Sequence, residues 1–471
     1  MSGERQAGAD SLSPRTVGIT TGVATSGFLS LGLVRGFDLD SSITTSFFIA
    51  TKSVGDAFTT GFVFNNHVFF SFLDHLVYSA TGSQAPWLLR LLPLLFAGVA
   101  VGLVAAAIAA RSGTVPAIAA AALIATNPTF ANVSTQVRGY SLLTLCAVVC
   151  SLILMRALRS ETVSTRALVV YAVAGAVGIA THGYMVWILG IHGLMALSNW
   201  RVAQRFITAW AGTLLGIAAY IWIWRYLREA IGASGKLFRP TFPLHLAVGI
   251  AGGSIAAAVP IAALALPAVW EARRIRRLHL ALAGLVIAVG AMWVLAPADL
   301  YVRFFIWLVP LPAIAAARTM ARGLDRHGAA RAITVVAVVV AIGVQLWHTV
   351  PVLRNDEFGN RQAAEAFARV NSTRPGGIPC VAGDFEFLRM IGYPEPFGSN
   401  RQVPLQQCVV LVALHKLPPR AMRLLRTTFP HHQRLEAEQD GTLWSRVPTS
   451  CWLGPDSQRP KPAACRMSTT T

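Results

Sequence analysis

Acidic side chains are scarce in this chain. It has 21 Asp and Glu against 40 Lys and Arg in 471 residues, and only 13% of the sequence is charged. The apolar runs are built of Ala, Val, Leu and Gly with almost no carboxylates at their centres. That argues against a transporter or lipid flippase, which would hold ionisable or broken-helix sites near mid-membrane. No Gly-rich phosphate loop and no dinucleotide fingerprint follows a strand, so a soluble nucleotide donor has no motif to bind it. Strong metal spacings such as a His-Glu-x-x-His helix are missing as well; no cofactor is expected, and a divalent metal is unsupported by any motif. Cysteine is rare. Cys146 and Cys150 lie inside an apolar run and read as small buried hydrophobes. Cys380, Cys408, Cys451 and Cys465 lie in the C-terminal region, where an oxidising compartment would allow disulfides of more than one pairing.

What the chain has in excess is apolar sequence: 54% of residues are hydrophobic and the mean hydropathy is +0.55. Its apolar runs reach membrane-spanning length repeatedly. Taking about 20 residues per crossing gives about eleven spans, starting near Thr16, Pro86, Val115, Gly139, Ala167, Met185, Phe206, Leu246, Leu278, Phe304 and Ala332. The expected fold is a polytopic all-α membrane protein with a small extracytoplasmic α/β C-terminal domain. The net charge of +19 is not the mark of a nucleic-acid binder, because no basic stripe interleaved with aromatics lies in a soluble segment. The arginines instead fall in alternate short connections: Arg111; Arg156, Arg159 and Arg166; Arg201 and Arg205; Arg273, Arg274, Arg276 and Arg277; Arg318, Arg322, Arg326 and Arg331. That is the positive-inside pattern, with the N-terminus in the cytoplasm and the C-terminal segment exported. The polar N-terminus and a first span without a small-residue cleavage site point to an anchor rather than a removed signal.

Three regions follow: a transmembrane domain over 1–350, an exported α/β domain over 351–450, and a flexible tail over 451–471. In the exported region, apolar runs at Ile378–Ala382 and Cys408–Leu414 and a strand at Thr442–Val447 alternate with helical patterns at Arg361–Val370, Phe385–Ile391 and Pro419–Phe429. The membrane expected to house the chain is a bacterial cytoplasmic membrane.

Between the first two spans lies a long outer loop, 36–85, carrying Asp38, Asp40, Asp56 and Asp74. Charge is costly beside lipid, so a long acidic loop among short connections is where surface chemistry is expected. Ser42–Asp56 and Phe64–Tyr78 read as amphipathic helices lying along the interface. Asp40 is the sharper candidate for a general base, Asp38 the second; Asp74 reads as a polar-face residue and Asp56 as the start of a turn. On the outer side, Arg138 in TQVRGYSLL and Arg303 in ADLYVRFFIWLVP each open a span. A guanidinium there either snorkels to headgroups or holds a phosphate. Lys236 and Arg239, in GASGKLFRPTFP, are further phosphate candidates, and His67, His182 and Tyr140 complete the set.

Four stretches resemble the GT-C superfamily of integral-membrane glycosyltransferases, in the branch of protein O-mannosyltransferases and aminoarabinose transferases. They are FDLDSSIT (Phe37 to Thr44), FNNHVFFSFLDHLVYSATGSQAPWLLRLLPLLFAG (Phe64 to Gly98), TQVRGYSLLTL (Thr135 to Leu145) and YVRFFIWLVPLPAI (Tyr301 to Ile314). Family members often follow the catalytic Asp with Glu, whereas Ser41 follows Asp40 here, so Asp38 and Asp40 both stay candidates; Asn65, Asn66, His67 and Val68 stand where many members have a Pro pair. The resemblance implies inverting transfer of a sugar from a polyprenyl-phosphate carrier to a glycan, lipid or protein acceptor on the outer face. Asp40 would take the acceptor proton, and Arg138 or Arg303, with Lys236 and Arg239, would meet the leaving phosphate.

Overall fold

The computed structural model describes residues 12–51, 53–55, 67–220, 240–272, 275–295, 300–326, 328–354, 381–383 and 409–411. Its helices are α1 (Pro14–Leu29), α2 (Leu39–Thr44), α3 (Val68–Thr81), α4 (Pro86–Leu89), α5 (Leu91–Ser112), α6 (Thr114–Ala125), α7 (Pro128–Ser134) and α8 (Tyr140–Ser160). They continue with α9 (Thr165–Thr181), α10 (Met185–Ala196), α11 (Trp200–Thr213), α12 (Phe242–Ala251), α13 (Ile255–Ala272), α14 (Arg276–Leu295), α15 (Pro310–Leu324) and α16 (Ala329–Arg354). A 3-10 segment, Val302–Leu308, leads into α15.

The chain divides into two compact units, one of Met1–Val34 with Phe48–Arg354, the other of Arg35–Phe47 with Asn355–Thr471. In the second unit, strands β1 (Val381–Gly383) and β2 (Val409–Leu411) pair in parallel, Ala382 opposite Val410. β2 lies within the apolar run Cys408–Leu414, and β1 begins in the run Ile378–Ala382. A parallel pair needs a crossover between its strands.

A helix or 3-10 segment lies at or near each span start expected from the sequence, and the described residues do not confirm eleven full crossings. Among the described residues, six helices are long and apolar enough to cross a membrane, and up to eight if each of two bent pairs is one span. Helices α9 and α10 are apolar but short. The expected starts near Ala167, Met185 and Phe206 fall on α9, α10 and α11, of 17, 12 and 14 residues, short of the about 20 that a crossing needs, and two of the other expected spans are bent. Helices α6 and α7 meet at 67°, α12 and α13 at 73°. Outward apolar side chains such as Trp347 (79% exposed) and Val286 (70%) fit a lipid surround, and the chain is a multi-pass membrane protein.

A broken helix inside lipid must find new partners for its freed backbone groups. The two breaks supply one another. Asn127 caps α7 by accepting from the Phe130 N–H at 3.0 Å, with Pro128 at the first helical position. Its amide donates 3.1 Å bonds to the carbonyls of Gly249 and Ile250 in the last turn of α12. Gly253, at φ +76, lies against Pro128 so closely that a Cβ there would sit 2.8 Å from Pro128 Cγ. Helix α16 latches the same point: Thr126 Oγ1 donates to Gln345 Oε1 at 2.8 Å, and Thr349 Oγ1 donates to the Thr126 carbonyl at 2.5 Å.

Helices α1 and α5 approach through glycines one turn apart, Gly18 and Gly22 on one and Gly98 and Gly102 on the other. A Cβ on Gly22 would lie 2.9 Å from the Gly98 carbonyl, and one on Gly18 the same distance from that of Gly102. Such small faces are how helices associate where lipid removes the hydrophobic drive. The core around them gathers Val17, Val101, Ile124, Phe130, Ala313 and Ala341 from α1, α5, α6, α7, α15 and α16.

Asn127→Ala removes the cap and leaves two buried carbonyls without a donor, so it is expected to destabilise the protein by about 2–4 kcal/mol. Thermal unfolding in detergent measures this; an unchanged midpoint would mean that the junction is held elsewhere.

Candidate active site

Arg138 lies in the turn between α7 and α8 and is 1% exposed. The next residue, Gly139, decides what can approach it. A Cβ on Gly139 would run into Thr181 at the end of α9 and come within 3.1 Å of the His67 Cβ and 3.0 Å of the Phe70 Cβ. With hydrogen in that place, α3, α8 and α9 close on one point, and Arg138 Nε donates to His67 Nε2 at 3.0 Å.

A ring nitrogen that accepts from a guanidinium carries no proton, so His67 is neutral with its hydrogen on Nδ1. Burial holds its pKa well below the ordinary value, and the Arg138 and Arg303 charges, with His182 close by, push the same way. His182 follows α9. Its Nδ1 accepts from the Tyr184 N–H at 3.2 Å, which leaves Nε2 as its donor. Burial first, then Arg138 and Arg303, lower it to about 3. Both guanidinium groups therefore act on both histidines.

Aromatic rings join these groups. His67 meets Tyr140 edge-on at 4.6 Å and His182 at 5.0 Å. Phe304 lies 5.7 Å from His182 and 5.2 Å from Tyr184. The Arg138 guanidinium is 5.6 Å from the Tyr140 ring, and that of Arg303 is 4.6 Å from Tyr301 and 5.7 Å from Phe304. The cluster grades from fully buried Tyr140 to Tyr301, which is 42% exposed. Two cations over rings, beside neutral imidazoles that keep a donor each, can receive an anion in a region of low dielectric.

Of the residues singled out in the sequence, the structure brings together Arg138, Arg303, His67, His182 and Tyr140. Tyr184, Tyr301, Phe304 and Gly139 join them. The signal for Tyr301 and Phe304 was present in the Tyr-x-Arg-Phe spacing around Arg303, and that for Gly139 in its place next to Arg138. Asp38 and Asp40 belong to the Arg35–Phe47 segment of the other unit. Asp38 Oδ1 accepts from the Ser41 N–H at 2.7 Å, as an N-cap does for α2, while Asp40 sits in the first turn of that helix and its carbonyl accepts from Thr44 Oγ1 at 2.9 Å. Lys236, Arg239, Asp56 and the four C-terminal cysteines lie outside the described residues. Cys146 and Cys150 are buried free thiols, as small hydrophobes would be.

Asp74 corrects an expectation. It does not occupy a polar face of α3: the residue is wholly buried, neither carboxyl oxygen has a hydrogen-bond partner, and burial raises its pKa well above the ordinary value. The polar periodicity of α3 fits an interfacial face, but the helix packs this side against its neighbours. Among the described residues, no group of three His, Cys, Asp or Glu is placed to hold a metal ion.

No family model and no curated protein matches the sequence. The structure is similar to that of ArnT, an aminoarabinose transferase from Cupriavidus metallidurans, in the apo state (TM-score 0.57, 15% identity) and bound to undecaprenyl phosphate (TM-score 0.54, 14% identity). Both comparisons cover 91% of this chain and 96% of that one. It is also similar to the archaeal oligosaccharyltransferase AglB of Archaeoglobus fulgidus in complex with an inhibitory peptide and a dolichol-phosphate, with a TM-score of 0.50 and 12% identity over 81% of this chain and 64% of that one. Both neighbours are GT-C glycosyltransferases. The chain has the GT-C fold. Within that GT-C architecture the arginine and histidine cluster stands where α8 and the Val302–Leu308 segment begin, at the ends of their spans.

The histidines make stability depend on pH. His182 stays neutral in the folded chain down to about pH 3, whereas an unfolded imidazole binds a proton near pH 6.5. Below that value the unfolded state takes up more protons, so stability is level above about pH 7 and falls as pH drops through about 6.5 toward 5. Thermal midpoints across this window should fall for the natural chain and fall less for His182→Gln.

Proposed function

We propose that the chain is a glycosyltransferase that moves a sugar from a polyprenyl-phosphate carrier to an acceptor at the outer face of the membrane. The observation that carries this reading is the pair of guanidinium groups, Arg138 and Arg303, acting on one aromatic cluster with two neutral histidines. The fold supports the same reading, since one neighbour with it holds undecaprenyl phosphate and another a dolichol-phosphate. A rival reading as a transporter or flippase has no comparable support from the fold.

In the proposed reaction the acceptor oxygen attacks the anomeric carbon, the bond from that carbon to the phosphate oxygen breaks, and the polyprenyl phosphate leaves with the bonding electrons. A single displacement inverts the anomeric centre. Asp40 takes the acceptor proton; Asp38 is the second choice, because its carboxylate already serves as the cap of α2. Arg138 and Arg303 meet the charge that grows on the leaving phosphate, where preorganised donors contribute most. His67 is a positioning residue: as a neutral acceptor it fixes the Arg138 guanidinium without competing for the anion. Lys236 and Arg239 are proposed to add to the phosphate site. The acceptor is a glycan, a lipid or a protein.

Arg138→Gln is expected to lower transfer about 10²–10³-fold, and Asp40→Asn about 10²–10⁴-fold, with normal expression in both. Native mass spectrometry of the purified protein should show retained undecaprenyl phosphate, depleted in an Arg138→Gln and Arg303→Gln double variant. Unchanged transfer in both Asp38→Asn and Asp40→Asn would sink the proposed base, and equal lipid retention in the arginine variant would sink the phosphate site.

A further inference from the structure

Four arginines from four helices gather at the end of the bundle opposite this cluster. Arg111 is in the last turn of α5, Arg159 in the last turn of α8, Arg277 in the first turn of α14, and Arg318 in the second half of α15. Arg159 and Arg138 lie at opposite ends of α8, about 30 Å apart along the helix. Helix α5 packs against both α8 and α15. Arg277 crosses to the end of α8, its Nη1 donating to the Leu158 carbonyl at 3.1 Å, while Arg111 Nη1 donates to the Ala107 carbonyl of its own helix at 2.6 Å. The charges of Arg111, Arg277 and Arg318 all act on Arg159.

Like charges so placed repel one another unless an anion lies among them. Among the described residues none of the four is in an ion pair. Two acids of the same end are engaged elsewhere: Glu271 pairs with Arg322, and Glu161 accepts from Asn199 Nδ2 at 3.2 Å. Arg111, Arg159 and Arg318 are exposed on the protein surface. Arg111, Arg159 and Arg277 stand within a turn of the ends of apolar spans, the depth at which lipid headgroups lie. A soluble anion would meet them there only in competition with the bilayer's own phosphates.

We infer that Arg111, Arg159, Arg277 and Arg318 form a binding site for the phosphate headgroup of an anionic phospholipid, in the leaflet opposite the one that holds the candidate active site. The site is assembled by four separate helices, so an occupied headgroup would tie α5, α8, α14 and α15 together at that end. Its ligand is a phosphate diester, which planar guanidinium groups bind through paired donors.

The test uses the full chain in detergent, with phosphatidylglycerol and phosphatidylcholine offered together and retention read by native mass spectrometry. The natural chain should prefer phosphatidylglycerol, and an R111Q/R318Q double variant should lose roughly tenfold or more of that preference. An R201Q/R205Q variant removes as much charge from α11 and should keep it. Should the first double variant unfold early, R318Q alone should show a smaller loss in the same direction. Equal preference in R111Q/R318Q and the natural chain overturns the proposal, as does an equal loss in R201Q/R205Q, which would mean diffuse attraction. Inorganic phosphate at constant ionic strength should not displace the lipid; full displacement would assign the cluster to free phosphate and overturn the lipid assignment.

Discussion

A backbone that bends inside a membrane must carry its own hydrogen-bond partners, and the Asn127 junction is where this chain meets that demand. One side chain caps the start of α7 and closes the end of α12, so two breaks that would each leave orphan groups in lipid become a single satisfied contact. The consequence reaches the site. Gly249, whose carbonyl accepts from the Asn127 amide, is packed against Val302, the first residue of the segment that carries Arg303 and Phe304. Helix α7, the helix that Asn127 starts, ends in the turn that carries Arg138. Both guanidinium groups are thus positioned from one junction in the bundle, which explains how arginines far apart in sequence come to act on the same histidines.

At the site, the decisive feature is that the imidazoles are kept uncharged. A protonated His67 could not accept from Arg138, and a third or fourth cation in the cluster would add repulsion where two already stand. Burial and the arginine charges exclude that state together. The result is a cluster whose positive charge is confined to the guanidinium groups, while the imidazoles offer neutral donors. Gly139 is the quiet requirement behind it, since any side chain there would push α3 and α9 away from Arg138.

Much of this was legible in the sequence. Apolar runs gave the helix positions, and the rarity of basic residues on one face drew attention to Arg138 and Arg303, which the structure places in one cluster with His67, His182 and Tyr140. The bends were not legible, because Thr126-Asn127-Pro128 and Gly252-Gly253 read equally well as the ends of two short spans or as the middle of one. The burial of Asp74 was hidden for a different reason: a polar residue on an amphipathic helix is assigned to water unless the neighbour that covers it is known. The Asp38 cap of α2 was half visible, as an Asp just ahead of a short helical pattern, but a cap and a catalytic carboxylate look alike in a sequence.

The arginines themselves divide into two kinds that composition alone merges. Arg138 is enclosed, oriented by an imidazole and set beside rings; Arg111, Arg159 and Arg318 are exposed, and the charges of Arg111 and Arg318 act on Arg159. The positive-inside rule accounts for why the second group lies on one side of the bundle, but it sets only a bias in number, not the grouping of arginines from α5, α14 and α15 around Arg159. Convergence costs repulsion that a scattered distribution with the same topology would avoid. Of the described acids at that end, Glu271 and Glu161 are engaged elsewhere, and in the proposed site a lipid phosphate offsets the repulsion that remains.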